Sequence, residues 1–514
     1  MPLVHHPRRF ALEDPDRLAI IWTPEGRAVT YAELEASANR FAQLLRSRGI
    51  GIGDHIALLM ENEPEYLMLA WGAQRAGVYY TAINRHLRPG EIQYILDDCG
   101  AKALVGSAAR AETLADLDTS RLAARVTTGG SVPGWERYED AASSLPPTPI
   151  ADEAEGKEML YSSGTTGRPK GIRRPLPGGE LGDPCSKATA HVAGYQRRGI
   201  GEGAVYLCPA PIYHAAPLVA CLNMHRIGAT VVLMSRFDAP QFLDCVERYG
   251  VTHTEVVPTM FVRLLRLPDD ERASADLSTL RNVVHAAAPC PVDVKREMIA
   301  WLGPIIDEYY SGTEDIGHAW ITSEEWLAHP GSVGRPMVPA HIVGPDGDEA
   351  PPGTEGLVYF DGGTPFEYHN DPGKTASVSN GRGWRTLGDI GYLDGDGYLY
   401  LTDRQSNMIV AGGVNVYPQE TENVLLSHPA VLDVAVVGVP DPDMGEAVKG
   451  VVQLADPSGA GEAMASSLQQ YCMERLAPFK CPRTIDFVDQ LPRDQNGKLY
   501  KRLVKERYWE DRRV

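Results

Sequence analysis

The sequence predicts an α/β protein, with a large N-terminal domain followed by a small α+β domain. Three observations lead there. Helix and strand signals alternate through the first hundred residues and again after residue 200, the pattern of a parallel sheet covered by helices. From about residue 331 the chain turns to short strands between turn-rich segments, as in a small all-β subdomain. Beyond Thr402 comes a helix–strand set of about 110 residues, the size of one small domain. The expected boundaries are 1–402 for the first domain, with its β-rich part at about 331–402, and 403–514 for the second.

Each element has a local reason. Thr30 and Glu33 fit a capping box, in which a hydroxyl and a carboxylate each satisfy a free backbone N–H at a helix start. Leu34, Ala38, Phe41 and Leu45 follow at helical spacing, and Gly49 stands where a helix should stop. HIALLM (55–60) and VYYTAI (78–83) read as buried strands around the helix EPEYLMLAWGAQRAG. GEIQYILDDCG and ALVG repeat the alternation. After residue 200, AVYLCPA, ATVVLMS and VTHTEVV read as strands and DAPQFLDCVERYG as a helix. GSVGRPM, GPDGDEAPPGTEG and LDGDGYLYLTD form the turn-rich region. In the last domain, PQETENVLLSHP, VLDVAVVGV, AVKGVVQLA, EAMASSLQQYCMERLA and TIDFV alternate between helix and strand. SGAGEAMASS (458–467) reads as a loop running into a helix.

At 514 residues the chain is too long for one ordinary core and fits roughly two to four domains or subdomains. Lys and Arg number 49 against 68 Asp and Glu, a net charge of -19. So acidic a surface argues against nucleic acid or an anionic membrane as the main partner, but not against a small anion held in one pocket of donors. None of the eight cysteines stands at C-x-x-C spacing, so neither a zinc site nor a redox pair is signalled. The N-terminal MPLVHHPRRFALEDPDRLAI has no apolar core of signal-peptide type, and no run of about 18 apolar residues occurs. A reduced, cytoplasmic protein without a spanning helix is expected.

The densest chemical signal is YSSGTTGRPKG, residues 161–171. Gly164 and Gly167 let backbone approach a ligand closely. Ser162, Ser163, Thr165 and Thr166 supply hydroxyls and successive N–H groups, and Lys170 adds a positive charge. The combination suits a polyphosphate. It is not a Walker loop, because Arg168 and Pro169 separate Gly167 from Lys170 and Gly171 follows the lysine. A kinase G-x-G-x-x-G loop fails as well.

The order S-S-G-T-T-G-x-P-K-G resembles the phosphate loop of the adenylate-forming superfamily, which includes acyl-CoA synthetases, aryl-CoA ligases, luciferases and peptide-synthetase adenylation domains. Further motifs follow in the superfamily's order. PIYH, ending at His214, is similar to its P-x-x-H segment, with Pro217 where a glycine is common. HAAAPCP (285–291) resembles one wall of the adenine slot, with Ala286, Ala287 and Ala288 small enough to admit a flat ring. EYYSGTE (308–314) resembles Y-G-x-T-E, with Ser311 in place of the first glycine and Gly312 one position later. RTLGDIGYLDGDGYL carries Gly388 and Asp389, and TDRQSNMIVAGGVNVYPQETE carries Arg404, Ser406, Asn407, Gly412 and Gly413. LPRDQNGKLYKR ends the set with Lys498. Asp394 and Asp396 in LDGDG read as turn formers, since the other acidic positions of a calcium loop are absent.

The resemblance implies αβαβα-type subdomains, a small β-barrel-like subdomain and a mobile C-terminal lid hinged near 404–407. It implies an AMP-forming acyl-CoA synthetase that uses ATP, Mg²⁺ and coenzyme A on a hydrophobic fatty, aromatic or polycyclic acid. By resemblance Tyr310 stacks on adenine, Thr313 touches phosphate, Glu314 holds Mg²⁺, Asp389 accepts from both ribose hydroxyls, and Arg404 contacts ribose or phosphate. His214 gates the acyl site, and Gly412 and Gly413 line the pantetheine tunnel. Lys498 bridges the activated carboxylate and the α-phosphate, where charge builds up in the transition state. The segments around His214, His285 and Ser311 are expected to line the acid pocket, and RRPLPGGELGDPCSK (173–187) to form its lid or rim. The acceptor is left open between CoA and a carrier protein, and a non-catalytic nucleotide-binding homologue stands as the alternative from another class. The expected partners are the acid, ATP and CoA; a homodimer is left open.

Overall fold

The helix Tyr31–Ser47 starts on the predicted capping box. Thr30 Oγ1 accepts the Glu33 N–H at 3.2 Å, and the Glu33 carboxylate accepts the Thr30 N–H at 2.8 Å. Gly49, beyond the helix end, takes φ of 71°. The computed structural model describes residues 4–23, 25–162, 169–179, 181–183, 186, 189–411, 414–493 and 499–509. It divides into two compact units.

The first unit comprises Met1–Val256, Leu267–Val284 and Thr364–Ala376. Its six-stranded sheet runs Glu136–Arg137, Ala124–Thr128, Ala101–Ser107, His55–Leu59, Tyr79–Ala82, Lys157–Glu158, with all neighbours parallel. Another parallel set orders His253–Val256, Val205–Cys208, Thr230–Met234 and Leu18–Thr23, and Arg27–Thr30 pairs antiparallel with the last. The helices Tyr31–Ser47, Pro64–Arg75 and Ala215–Ile227 contribute to one apolar core with these strands. Strands buried on both faces need no polar side, which is why IALL and VVLM appear as unbroken apolar runs. A chain of hydrogen bonds crosses this core. Trp71 Nε1 donates to His225 Nδ1 at 3.0 Å, and His225 Nε2 meets the Ala19 carbonyl at 3.1 Å. Burial lowers the His225 pKa to about 4, so the ring is neutral.

A small antiparallel sheet of Leu160–Ser162, Lys170–Arg173 and Glu367–Tyr368 frames both ends of the glycine-rich stretch.

The second unit comprises Val257–Arg266, His285–Gly363 and Ser377–Val514. Strand Ile306–Ser311 pairs antiparallel with His318–Ile321, and that with Arg335–Pro336. The turn-rich region folds as a four-stranded antiparallel sheet: Ala340–Val343, Gly356–Phe360, Arg385–Leu393, Leu399–Arg404. Ile342, Val358, Phe360 and Leu399 are buried in the core beside it. Farther along, the long hairpin Val431–Asp441 and Gly445–Leu454 is joined in parallel by Thr484–Phe487, and Ile409–Ala411 pairs with Val414–Val416. Leu425 from the helix Pro418–Leu426 and Leu468 from Glu462–Met473 share a core with Val434, Val436, Val448 and Val452 of the hairpin. Among the described residues no helix is long and apolar enough to cross a membrane.

Candidate active site

In the second unit the site is built around Asp389, on the strand Arg385–Leu393 opposite Arg404 of Leu399–Arg404. Gly388 precedes it with φ of 83°, a conformation that favours glycine. The carboxylate is buried, and both oxygens are engaged. Tyr310 Oη donates to Oδ2 at 2.5 Å, and Arg404 Nε donates to Oδ1 at 3.1 Å. An ionised carboxylate offers about four acceptor directions, so about two remain for a further pair of donors such as a vicinal diol. The negative charge raises the pKa of the Arg404 guanidinium; burial, then the carboxylate, raises that of the Tyr310 phenol well above its usual range.

Thr313 and Glu314 occupy the centre of a turn closed by the Asp315 N–H donating to the Gly312 carbonyl at 3.0 Å. A side chain at Gly312 would meet Leu387 Cδ2 at 2.6 Å and Glu314 Oε2 at 2.9 Å, so a glycine is what fits between Leu387 and the Glu314 carboxylate. The Glu314 charge acts on both Tyr310 and Arg404. Ala286, Ala287 and Ala288 follow the strand Asn282–His285, and Ala287 takes φ of 72°. Ser406 is exposed in a short 3-10 turn, Gln405–Asn407. Asp403 fastens that turn: its Oδ1 accepts from Asn407 Nδ2 at 2.9 Å and its Oδ2 from the Gln419 N–H at 2.9 Å.

In the first unit, Ser162 and Lys170 are cross-strand partners. Lys170 Nζ lies 3.8 Å from an Asp371 oxygen and 5.8 Å from the centre of the Tyr368 ring. His214 precedes the helix Ala215–Ile227, its ring 4.5 Å from that of Tyr213. Ser163, Gly164, Thr165, Thr166, Gly167, Gly412, Gly413 and Lys498 lie outside the described residues, as does part of 173–187.

Residues 7–367 match the family model of the AMP-binding enzyme, and residues 420–498 match that of the AMP-binding enzyme C-terminal domain. The chain belongs to the AMP-binding enzyme family. Feruloyl-CoA synthase of an Amycolatopsis species is 35% identical over 488 residues, 94% of each chain. A long-chain-fatty-acid–CoA ligase of Mycobacterium tuberculosis is 31% identical over 513 residues, covering 98% of this chain and 97% of its own. Among solved structures, the o-succinylbenzoate CoA synthetase of Bacillus subtilis in complex with its acyl-adenylate intermediate has a TM-score of 0.80 at 28% identity, covering 97% of both chains. The chain is thus an enzyme of the adenylate-forming superfamily that its motifs resemble.

Two departures of this AMP-binding enzyme from the superfamily's motifs have structural outcomes. Pro217 stands in the first turn of its helix, where a backbone N–H has no intrahelical partner to lose. Ser311 Oγ donates to the Gly317 carbonyl at 3.1 Å and lies 3.3 Å from His318 Nε2, which is 2.7 Å from Asp315 Oδ1. Asp371, beside Lys170, belongs to none of the motifs, and Glu308 enters them only as the start of EYYSGTE. Asp371 carries no signal in its own neighbourhood. Glu308 does, as an acidic residue two positions before Tyr310 on a strand whose first half is buried.

Proposed function

We propose that this ligase activates a hydrophobic fatty, aromatic or polycyclic acid and passes it to coenzyme A through two uses of one site. In the first, a carboxylate oxygen attacks the α-phosphorus of ATP. The bond to the β-phosphate oxygen breaks, and pyrophosphate leaves as acyl-AMP forms. Tyr310 and Ala286–Ala288 take the adenine, Asp389 and Arg404 the ribose, and Thr165, Thr166, Thr313 and Lys170 the phosphates. Lys498 bridges the reacting oxygens, where fixed positive charge is worth most. His214 borders the acid. In the second use the C-terminal domain turns about Ser406, Gly412 and Gly413 line the entry of the thiol, and sulfur attacks the acyl carbonyl and expels AMP.

The observation that carries the nucleotide assignment is the buried Asp389 carboxylate, held by Tyr310 and Arg404 with acceptor capacity left for a diol. Glu314 fits a Mg²⁺ ligand: it is a hard oxygen donor on a turn, beside a glycine where any side chain would press on its carboxylate. The ion, when bound, neutralises phosphate charge. The named acids of the two relatives, ferulic and long-chain fatty, support a hydrophobic substrate.

The test is a panel of aromatic, fatty, polycyclic and amino acids with ATP and CoA, scored by AMP release. Hydrophobic acids should release AMP with equimolar consumption of free CoA. Acid-dependent AMP release that leaves CoA unconsumed, or turnover confined to amino acids, would overturn the reading.

A further inference from the structure

Beneath the nucleotide residues of the second unit lies a buried charge cluster that none of the motifs accounts for. Lys295, on the helix Val292–Leu302, donates from Nζ to Glu308 Oε2 at 2.6 Å. His285 Nε2 lies 3.2 Å from the same oxygen. All three side chains are buried, Lys295 and His285 completely. The ammonium sits 4.9 Å from the centre of the Trp326 ring, and the Phe261 ring meets the His285 imidazole edge-on at 5.4 Å. Burial opposes the Glu308 charge, but His285 and Lys295 together hold its pKa below the usual carboxylate range, while burial lowers that of His285. The cluster is therefore a buried Lys295–Glu308 ion pair with the His285 ring against the same carboxylate oxygen.

Such a pair is a poor way to gain stability. Taking two charges out of water offsets most of their attraction, and apolar residues of the same volume do as well. What an ion pair adds is direction, because only one placement of the two groups satisfies both. Here that direction is passed to the nucleotide residues. Glu308 and Tyr310 are two apart on the strand Ile306–Ser311, so they project from the same face. His285 is the last residue of its strand, and Ala286–Ala288 continue from it. One carboxylate oxygen is thus the common reference for the strand that presents Tyr310 and for the strand end that leads into the alanines.

We propose that Glu308, with Lys295 as counter-ion and His285 as second contact, is a positioning residue that sets the spacing of the two walls of the adenine slot. This rests on the assignment of Tyr310 and Ala286–Ala288 to adenine.

The test compares wild type with the double variant Lys295→Met/Glu308→Gln, which removes both charges at nearly constant volume. Single replacements would strand a buried charge and are avoided. The melting temperature is read first, then KM for ATP, acid and CoA, kcat, and the Kd of AMP. The expected result is a folded variant with KM for ATP and Kd for AMP raised at least tenfold, KM for acid and CoA within twofold, and kcat within threefold. An unchanged KM for ATP, or a parallel rise in all three KM values, overturns the proposal. If the double variant does not fold, His285→Gln replaces it. A rise of at least threefold in KM for ATP alone is then expected, and no rise overturns the proposal. If neither variant folds, the cluster is a folding element and the positioning role is refuted. Wild type without acid-dependent AMP release would instead refute the ligase assignment; an active wild type beside an unaltered variant refutes the positioning role alone.

Discussion

Tyr310 and Asp389 are joined by a 2.5 Å hydrogen bond in which the phenol donates to a carboxylate oxygen of the neighbouring sheet. The other oxygen takes Arg404 Nε at 3.1 Å, so one buried carboxylate holds two other residues assigned to the nucleotide.

Asp389→Asn keeps the shape and removes the charge. A hydrogen bond to a charged group contributes about 1.5–3 kcal/mol, so KM for ATP should rise about 10- to 100-fold. KM for CoA should stay within about twofold, because the thiol is not assigned to this carboxylate. Initial-rate kinetics with each substrate varied in turn checks both. A matching rise for CoA would refute the assignment.

Lys170 and Asp371 separate a ligand contact from a surface pair. The lysine is largely buried while Asp371 is 45% exposed, and they stand 3.8 Å apart. A half-exposed ion pair contributes little, so Asp371→Asn should change KM for ATP by less than about threefold. Lys170→Met should raise it about tenfold or more, the worth of one charge-assisted hydrogen bond to phosphate. Pyrophosphate exchange at varied ATP measures the difference, and equal effects would remove Lys170 from the phosphate site.

Much of the scaffold was legible because its causes are local. The Thr30–Glu33 box is made by residues three apart, and the parallel strands announce themselves as apolar runs. The nucleotide residues were legible only through resemblance: nothing near Asp389 in the sequence says that Tyr310 will reach it. The Lys295–Glu308 pair was not legible, since a helix lysine and a strand glutamate meet only after the helix docks. Asp371 was hidden for the same reason, its place beside Lys170 being fixed by the pairing of Lys170–Arg173 with Glu367–Tyr368.

Glu63 gives a pH signature of stability. Its carboxyl lies within hydrogen-bond distance of Thr128 Oγ1, at 2.7 Å, and burial raises its pKa to about 7, with Glu65 and Glu61 adding to the shift. A carboxyl whose folded pKa exceeds the unfolded value, about 4.3, binds more protons in the folded state between those two pH values. Stability from this group is full below about pH 4 and is lost as pH rises through 7. Glu63→Gln should therefore leave the melting temperature nearly unchanged at pH 4.5 and raise it at pH 8. The gap should correspond to on the order of 3 kcal/mol. Thermal melts of both proteins across that range check it, and a gap independent of pH would contradict the assignment.

Lys498 separates the two half-reactions. Its assigned place is between the carboxylate being activated and the α-phosphate, where negative charge gathers as the phosphorus is attacked. Removing one preorganised donor from such a position costs about 100- to 1000-fold in rate. The second step asks for no such donor: the acyl group is already activated, and the glycines assigned to the thiol, Gly412 and Gly413, stand elsewhere in the chain. Lys498→Ala should therefore lose acyl-AMP formation by about that factor, while converting supplied acyl-AMP and CoA to thioester at close to the wild-type rate. Single-turnover assays of each half-reaction make the comparison. Equal losses in both would mean that the lysine supports the fold or the domain rotation instead of the phosphoryl step. A loss confined to thioester formation would assign it to the thiol.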